Sequence, residues 1–151
     1  MEEVINMEGN LTILVHDAHG NVLSSQTVHN LFVMGGRNLL RDLLWGTVTG
    51  VNAGVRHIAV GTSDTATADG QTALVAEVYR QVITGTSVTD GALNIQGYLG
   101  TSEANGNTLN EAGLFTVSGV MVARALFVAP IEKNASLTVS LSWDLTISAG
   151  T

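Results

Sequence analysis

The clearest pattern in the chain is a strict alternation of apolar and polar residues over positions 137–147. The apolar set occupies every second position: Leu137, Val139, Leu141, Trp143, Leu145 and Ile147. The positions between them are hydroxyl-bearing or acidic: Thr138, Ser140, Ser142, Asp144 and Thr146. A period of two predicts a β-strand with one face in a core and the other in water. Trp143 is therefore predicted to be a buried structural residue.

Other segments show the same period less completely. Residues 10–28 predict a β-hairpin around a turn-forming stretch at 17–21, with an alternation that is clear on one side and mixed on the other. From residue 86 onward the chain again has the pattern of short strands separated by turns. We therefore expect most of the chain to be β-structure.

One helix is predicted at about residues 31–45, where Leu40, Leu43 and Leu44 lie on one face. Asn30 can cap its beginning and Gly46 can end it. Residues 73–79 have apolar spacing that fits a second, short helix.

These elements predict an all-β fold, a jelly-roll-like β-sandwich with one α-helix, and an immunoglobulin-like sandwich is the alternative. Alternation does not specify strand order, so it does not separate the two. The 151 residues suit a single domain. We expect residues 1–9 to form an N-terminal arm and residues 10–151 to form the sandwich.

The amino-acid composition excludes several classes of function. Thr and Ser together outnumber all charged residues, which are 6 basic and 13 acidic, for a net charge of −7. This acidic balance argues against nucleic-acid binding and against docking on an anionic membrane. The absence of cysteine excludes disulfides and thiolate metal sites. A surface with so few charges suits a protein covered by copies of itself or by a partner.

No arrangement of residues points to catalysis. His16, Asp17 and His19 cluster at the first turn, but no further ligand has metal-site spacing, so a solvated turn is the better interpretation. No facing pair of carboxylates is recognisable either. We therefore expect no enzymatic activity, no catalytic residue, no cofactor and no metal. The candidate partner-contact residues are Val4, Ile5 and Met7 of the arm and Arg37 and Arg41 of the helix.

Several stretches resemble virion structural proteins of tailed bacteriophages. They are residues 109–115 (LNEAGLF), 119–127 (GVMVARALF), 130–133 (PIEK) and 137–143 (LTVSLSW), with 36–38 (GRN), 58–63 (IAVGTS), 72–74 (TAL) and 77–80 (EVYR) upstream. The resemblance spans roughly residues 32–147. It implies a component of a phage particle and no catalytic residue.

Among such components, a capsid cement or decoration protein is the expected function. It would lie on the outer surface of the capsid, bridge neighbouring major capsid proteins and stabilise the head. A tail-fibre or baseplate component is the alternative. The expected partners are the major capsid protein and the chain itself, as a homodimer or homotrimer with contacts through β edges and the loops at 47–55 and 100–107. Synthesis would take place in the host cytoplasm.

The motif residues also have physical interpretations. Glu111 can pair with Arg124 across adjacent strands, or Glu77 can pair locally with Arg80. Partly buried pairs of this kind often determine register more than they add stability. The remaining structural candidates are Gly113, which permits a bulge or a close backbone approach, and Phe115 and Phe127, which are predicted core residues.

Overall fold

The computed structural model describes residues 2–49 and 53–150, which contain nine strands and one helix. The strands are β1 (Ile5–His16), β2 (Val22–Phe32), β3 (Val55–Gly61), β4 (Glu77–Val82), β5 (Gly85–Thr89), β6 (Ala92–Leu99), β7 (Asn107–Thr116), β8 (Met121–Lys133) and β9 (Thr138–Ala149). The helix, α1 (Met34–Trp45), lies between β2 and β3.

The strands form one antiparallel sheet in the order β4-β3-β7-β8-β2-β1-β9-β6-β5. The sheet curls at β2, which pairs with β1 from Val22 to His29 and with β8 from Asn30 to Phe32. The curl produces a first layer, β2-β1-β9-β6-β5, and a second layer, β4-β3-β7-β8-β2. The predicted all-β, sandwich-like fold with one helix is confirmed.

The core lies between the inner faces of the two layers. Trp143 is fully buried, as predicted, and its indole N–H donates to Oδ1 of Asn30 at 2.6 Å. On β1 the odd-numbered residues from Leu11 to Val15 are buried and the even-numbered ones are partly exposed. Alternating burial therefore marks the inner face of β1, β6 and β9 in the first layer.

The helix begins at Met34, three residues after its predicted start. Asn30 to Phe32 remain extended because they pair with Ala125 to Ala123 of β8. Val33 is the N-cap residue, without a side-chain cap, so Asn30 does not cap the helix. Gly46 ends α1 as predicted, in the left-handed conformation at φ 80°.

Most of the predicted N-terminal arm belongs to the sheet. Strand β1 starts at Ile5, and its residues 5–9 pair in continuous register with residues 149–145 of β9. Met7 packs against the core. The arm is therefore reduced to the residues before Ile5, and of these Met1, like Thr151 at the other end, lies outside the described residues.

Two further predicted segments remain: one has a different structure from the prediction, and the other lies partly outside the described residues. Residues 73–79 are not helical: after an irregular stretch, β4 begins at Glu77 and pairs with β3. In the predicted contact loop at 47–55, positions 50–52 lie outside the described residues.

Candidate functional site: an apolar groove beside the helix

An open groove of about 340 Å³ lies between α1 and one end of the first layer. Its floor continues the inner face of that layer beyond the closed core, and its wall is the apolar side of α1. We call it the apolar groove, and its lining residues are Met7, Phe32, Gly36, Leu39, Leu40, Leu43, Val55, Val88, Thr89, Gly91, Ala92, Leu93, Val122, Leu145 and Ile147.

The chemistry of this lining is uniform. None of the described residues that form it is ionisable, and Thr89 is the one that carries a hydroxyl. Ile147 is 48% exposed and Val88 is 77% exposed, although both belong to the inward-facing set of their strands. The groove is therefore core-type surface that the chain itself leaves open to solvent.

The position of α1 depends on close contact with β8. Gly36 is the buried residue of the helix, and a Cβ atom built there would lie 2.4 Å from the carbonyl oxygen of Val122. Only glycine allows this approach without a shift of backbone. The helix is thereby held against the second layer, and its leucines face the first layer across the groove.

The loop at 62–76 holds the first turn of α1. The Arg37 guanidinium donates to both carboxylate oxygens of Asp69, at 2.6 and 2.9 Å, and to the carbonyl of Phe32 at 2.8 Å. The Met34 N–H donates to the Asp69 carbonyl. The bonded Arg37 side chain holds the pKa of Asp69 below its ordinary value.

The predicted contact residues thus have different environments. Arg37 is engaged within the molecule, and Arg41 pairs with Asp42 while remaining largely exposed. Met7 lines the groove, and Val4 and Ile5 are exposed beyond its end. Two further apolar residues are exposed at the end of α1, Leu44 at 84% and Trp45 at 79%. Neither of these helix residues was among the predicted contact residues.

Glu111 and Arg124 belong to the stretches that resemble phage virion proteins, and they form a different feature, a buried ion pair. Glu111 and Arg124 are fully buried, and Arg124 Nε donates to Glu111 Oε2 at 2.8 Å. The carboxylate also accepts the backbone N–H groups of Val75 and Ala76, at 3.1 and 2.8 Å. We call these four residues the Glu111 clamp. The clamp ties the loop at 62–76 to strands β7 and β8 of the second layer.

The other motif residues surround this clamp. Gly113 leaves room for Leu74, whose Cδ2 atom would lie 2.9 Å from a Cβ at that position. Phe115 is buried, and the Arg80 guanidinium stacks 3.8 Å from its ring centre while also pairing with Glu77. Phe127 is partly buried against the core. These residues of the resembling stretches therefore have a structural role.

A third polar cluster lies at the end of the sandwich opposite the groove. Lys133 is 2% exposed, and its ammonium donates to Oδ1 of Asn105 and to the carbonyl of Asn134. Burial lowers the pKa of Lys133, although the Glu103 carboxylate opposes that shift. Burial and the hydrogen-bonded Glu103 raise the pKa of Tyr79. These contacts cover the core at this end, and no sequence pattern indicated them.

Within residues 2–49 and 53–150, no three His, Asp or Glu side chains are grouped so as to hold a metal ion. Asp17 of the first turn instead accepts backbone hydrogen bonds from His19 and Asn21. No helix in the described part of the chain is long and apolar enough to cross a membrane. Comparisons with protein-family models, with curated proteins and with solved structures found no match.

Proposed function

We propose that this chain is a structural protein of a tailed-bacteriophage virion, a cement protein that binds the outer capsid surface and bridges neighbouring major capsid proteins. The resemblance of residues 32–147 supports the particle assignment. Four residues of the resembling stretches, Glu111, Gly113, Phe115 and Arg124, lie in or around the buried Glu111–Arg124 pair. Their role is structural, which fits the structural protein that the resemblance implies.

The observation that carries the proposal is the apolar groove. The chain has a net charge of −7, yet the described residues lining the groove include no ionisable side chain. Such a surface suits apolar side chains of a protein partner, which bury it without desolvating a charge. A cement protein that binds the assembled shell but not its separate parts adds its binding free energy to the stability of the shell.

A tail-fibre or baseplate component is the second candidate, and the exposed Trp45 favours it. Aromatic rings on a surface can stack on host sugars. However, Trp45 lies at the end of α1 and Tyr98 lies on the outward face of β6, so the two exposed rings belong to different elements. The exposed aromatic rings therefore do not form one sugar-binding surface on a single element, and the apolar groove favours the cement function.

The test is binding of purified protein to capsids that lack decoration. Leu43→Gln and Ile147→Thr each reduce the apolar surface of the groove, and we expect each to weaken binding by about tenfold, the loss of roughly 1.4 kcal/mol of contact. Val128→Thr is the matched control, because Val128 is 82% exposed and does not line the groove.

The outcomes separate the candidates. Tight binding by the wild type and by Val128→Thr, with weak binding by both groove variants, supports the proposal. Equal binding by all four proteins removes the groove from it. Absence of binding by the wild type contradicts the cement function and favours the tail component.

A further inference from the structure

The two edges of the nine-stranded sheet are protected to different degrees. Strand β4, at one edge, carries the Glu77–Arg80 ion pair and a register shift in its pairing with β3. Its Gln81 side chain also reaches the other layer near Gly97. Charges and irregular register are the usual protection of an edge strand against pairing.

Strand β5, at the opposite edge, has none of these features. Its five residues, Gly85–Thr89, include no charge and no proline, and its pairing with β6 is regular throughout. Within the described chain β5 pairs with β6 alone. Val88 is 77% exposed on the same face that lines the groove. An edge of this kind is a template for another strand.

The hydrogen-bond pattern of the neighbouring strands shows which backbone groups face outward. The Ile147 N–H donates to the Gly91 carbonyl, beside the Ala92–Thr146 pair. In an antiparallel ladder this makes Ala92–Thr146 a non-hydrogen-bonded pair, so Leu93 directs its backbone groups to β9. Ala92 therefore directs its own groups to β5.

The same alternation continues into β5. Ser87 and Thr89 pair with Asn94 and Ala92 and direct their N–H and C=O groups to β6. Thr86 and Val88 consequently direct theirs to the free edge. Two donors and two acceptors are presented there with the spacing of a strand.

We propose that β5 pairs with β5 of a second copy of this chain, antiparallel and centred on Ser87. In this register Thr86 of each copy exchanges hydrogen bonds with Val88 of the other, and the two sheets become continuous. The exposed Val88 side chains then lie diagonally across the join, on one face. Asp90, the acidic residue next to β5, lies opposite the uncharged Thr84.

The distribution of charge favours contact with a second copy of the chain at the uncharged β5 edge. Two chains of net charge −7 repel each other, so a self-contact is expected where the surface carries no charge. The proposal concerns the purified chain alone. It therefore succeeds or fails independently of capsid binding.

Sedimentation equilibrium of the full chain tests the pairing. We expect a dimer of twice the 15.7 kDa chain mass, with association strengthened by salt because salt screens the repulsion. Val88→Lys should weaken the dimer by about tenfold, since each symmetric contact occurs twice. Val82→Lys, an exposed valine of the β4 edge, is the matched control and should leave it unchanged.

A crosslink tests the register even if a lysine variant folds poorly. The chain has no cysteine, so Ser87→Cys introduces one thiol, which would lie opposite its symmetry mate at a Cα separation suited to a disulfide. Thr89→Cys would lie opposite Gly85 and should not crosslink. A monomeric wild type, equal weakening by both lysine variants, or equal crosslinking by both cysteine variants would overturn the proposal.

Discussion

The Glu111 clamp and the apolar groove are two places where a segment outside the sheet lies over the core, and they differ in chemistry. At the clamp, a loop is fastened by a buried carboxylate that accepts two backbone N–H groups and an arginine. At the groove, α1 presents leucines to the first layer without closing on it. The closed place is polar and internally bonded, whereas the open place is apolar.

This difference shows at which of the two places binding a partner would be energetically favourable. A buried charge requires an opposite charge beside it within the chain, because an unpaired one is costly. Apolar surface tolerates water until another apolar surface covers it, and covering it is favourable. The clamp therefore supplies internal stability, and the groove supplies a surface for association.

The largest effect is expected at the clamp. Arg124→Met removes the buried cation and leaves the Glu111 carboxylate without its charge partner, so the free energy of unfolding should fall by about 3–5 kcal/mol. Urea denaturation measures it. The double variant Glu111→Gln, Arg124→Met carries no charge at the clamp and should recover part of this loss. A single variant within about 1 kcal/mol of the wild type would show that the pair behaves like a surface pair.

A smaller effect is expected where α1 meets β8. Gly36→Ala places a methyl group against the Val122 carbonyl and should cost about 1–3 kcal/mol by overpacking. Gly35→Ala is the control: its Cβ would lie 3.0 Å from the Met121 carbonyl, and the gain in helix propensity offsets part of that strain. Equal unfolding free energies for the two variants would contradict the close contact that positions the groove wall.

The smallest effect concerns the link between the two places, Arg37–Asp69. The pKa of Asp69 is lowered in the folded chain, so its carboxylate stabilises the fold above the unfolded value of 3.8. That contribution is lost as the pH falls through the lowered folded pKa. Asp69→Asn should therefore be less stable than the wild type near neutral pH, and the gap should narrow in acid. A gap that stays constant in urea titrations from neutral to acid pH would exclude this role.

Sequence patterns predicted the parts of the fold that depend on a local period. The alternation at 137–147 identified the buried Trp143, and the apolar face at residues 40–44 located the helix up to Gly46. The sequence also offered Glu111–Arg124 across adjacent strands and Glu77–Arg80 nearby as alternative ion pairs, and both pairs form.

The remaining features depend on pairing between distant segments. The alternation of β1 continues through Met7 and Ile5, and that signal could have placed them in the sheet. The spacing at 73–79 misled because the N–H groups of Val75 and Ala76 bind Glu111, 35 residues or more away. The groove combines α1 with residues of seven strands, β1, β2, β3, β5, β6, β8 and β9, and a single alternation does not show that these elements meet.

The pairing of β1 with β9 has a consequence for the kinetics of folding. Ile5 pairs with Ala149, so the two ends of the described chain must meet before the first layer is complete. Contacts so distant in sequence slow folding, because the entropy of closing a long loop is lost before the contact is made. Until β9 inserts between β1 and β6, both strands have open edges and Trp143 lies outside the core. Refolding yield should therefore decline as protein concentration rises, because chains with these edges still open can pair with one another.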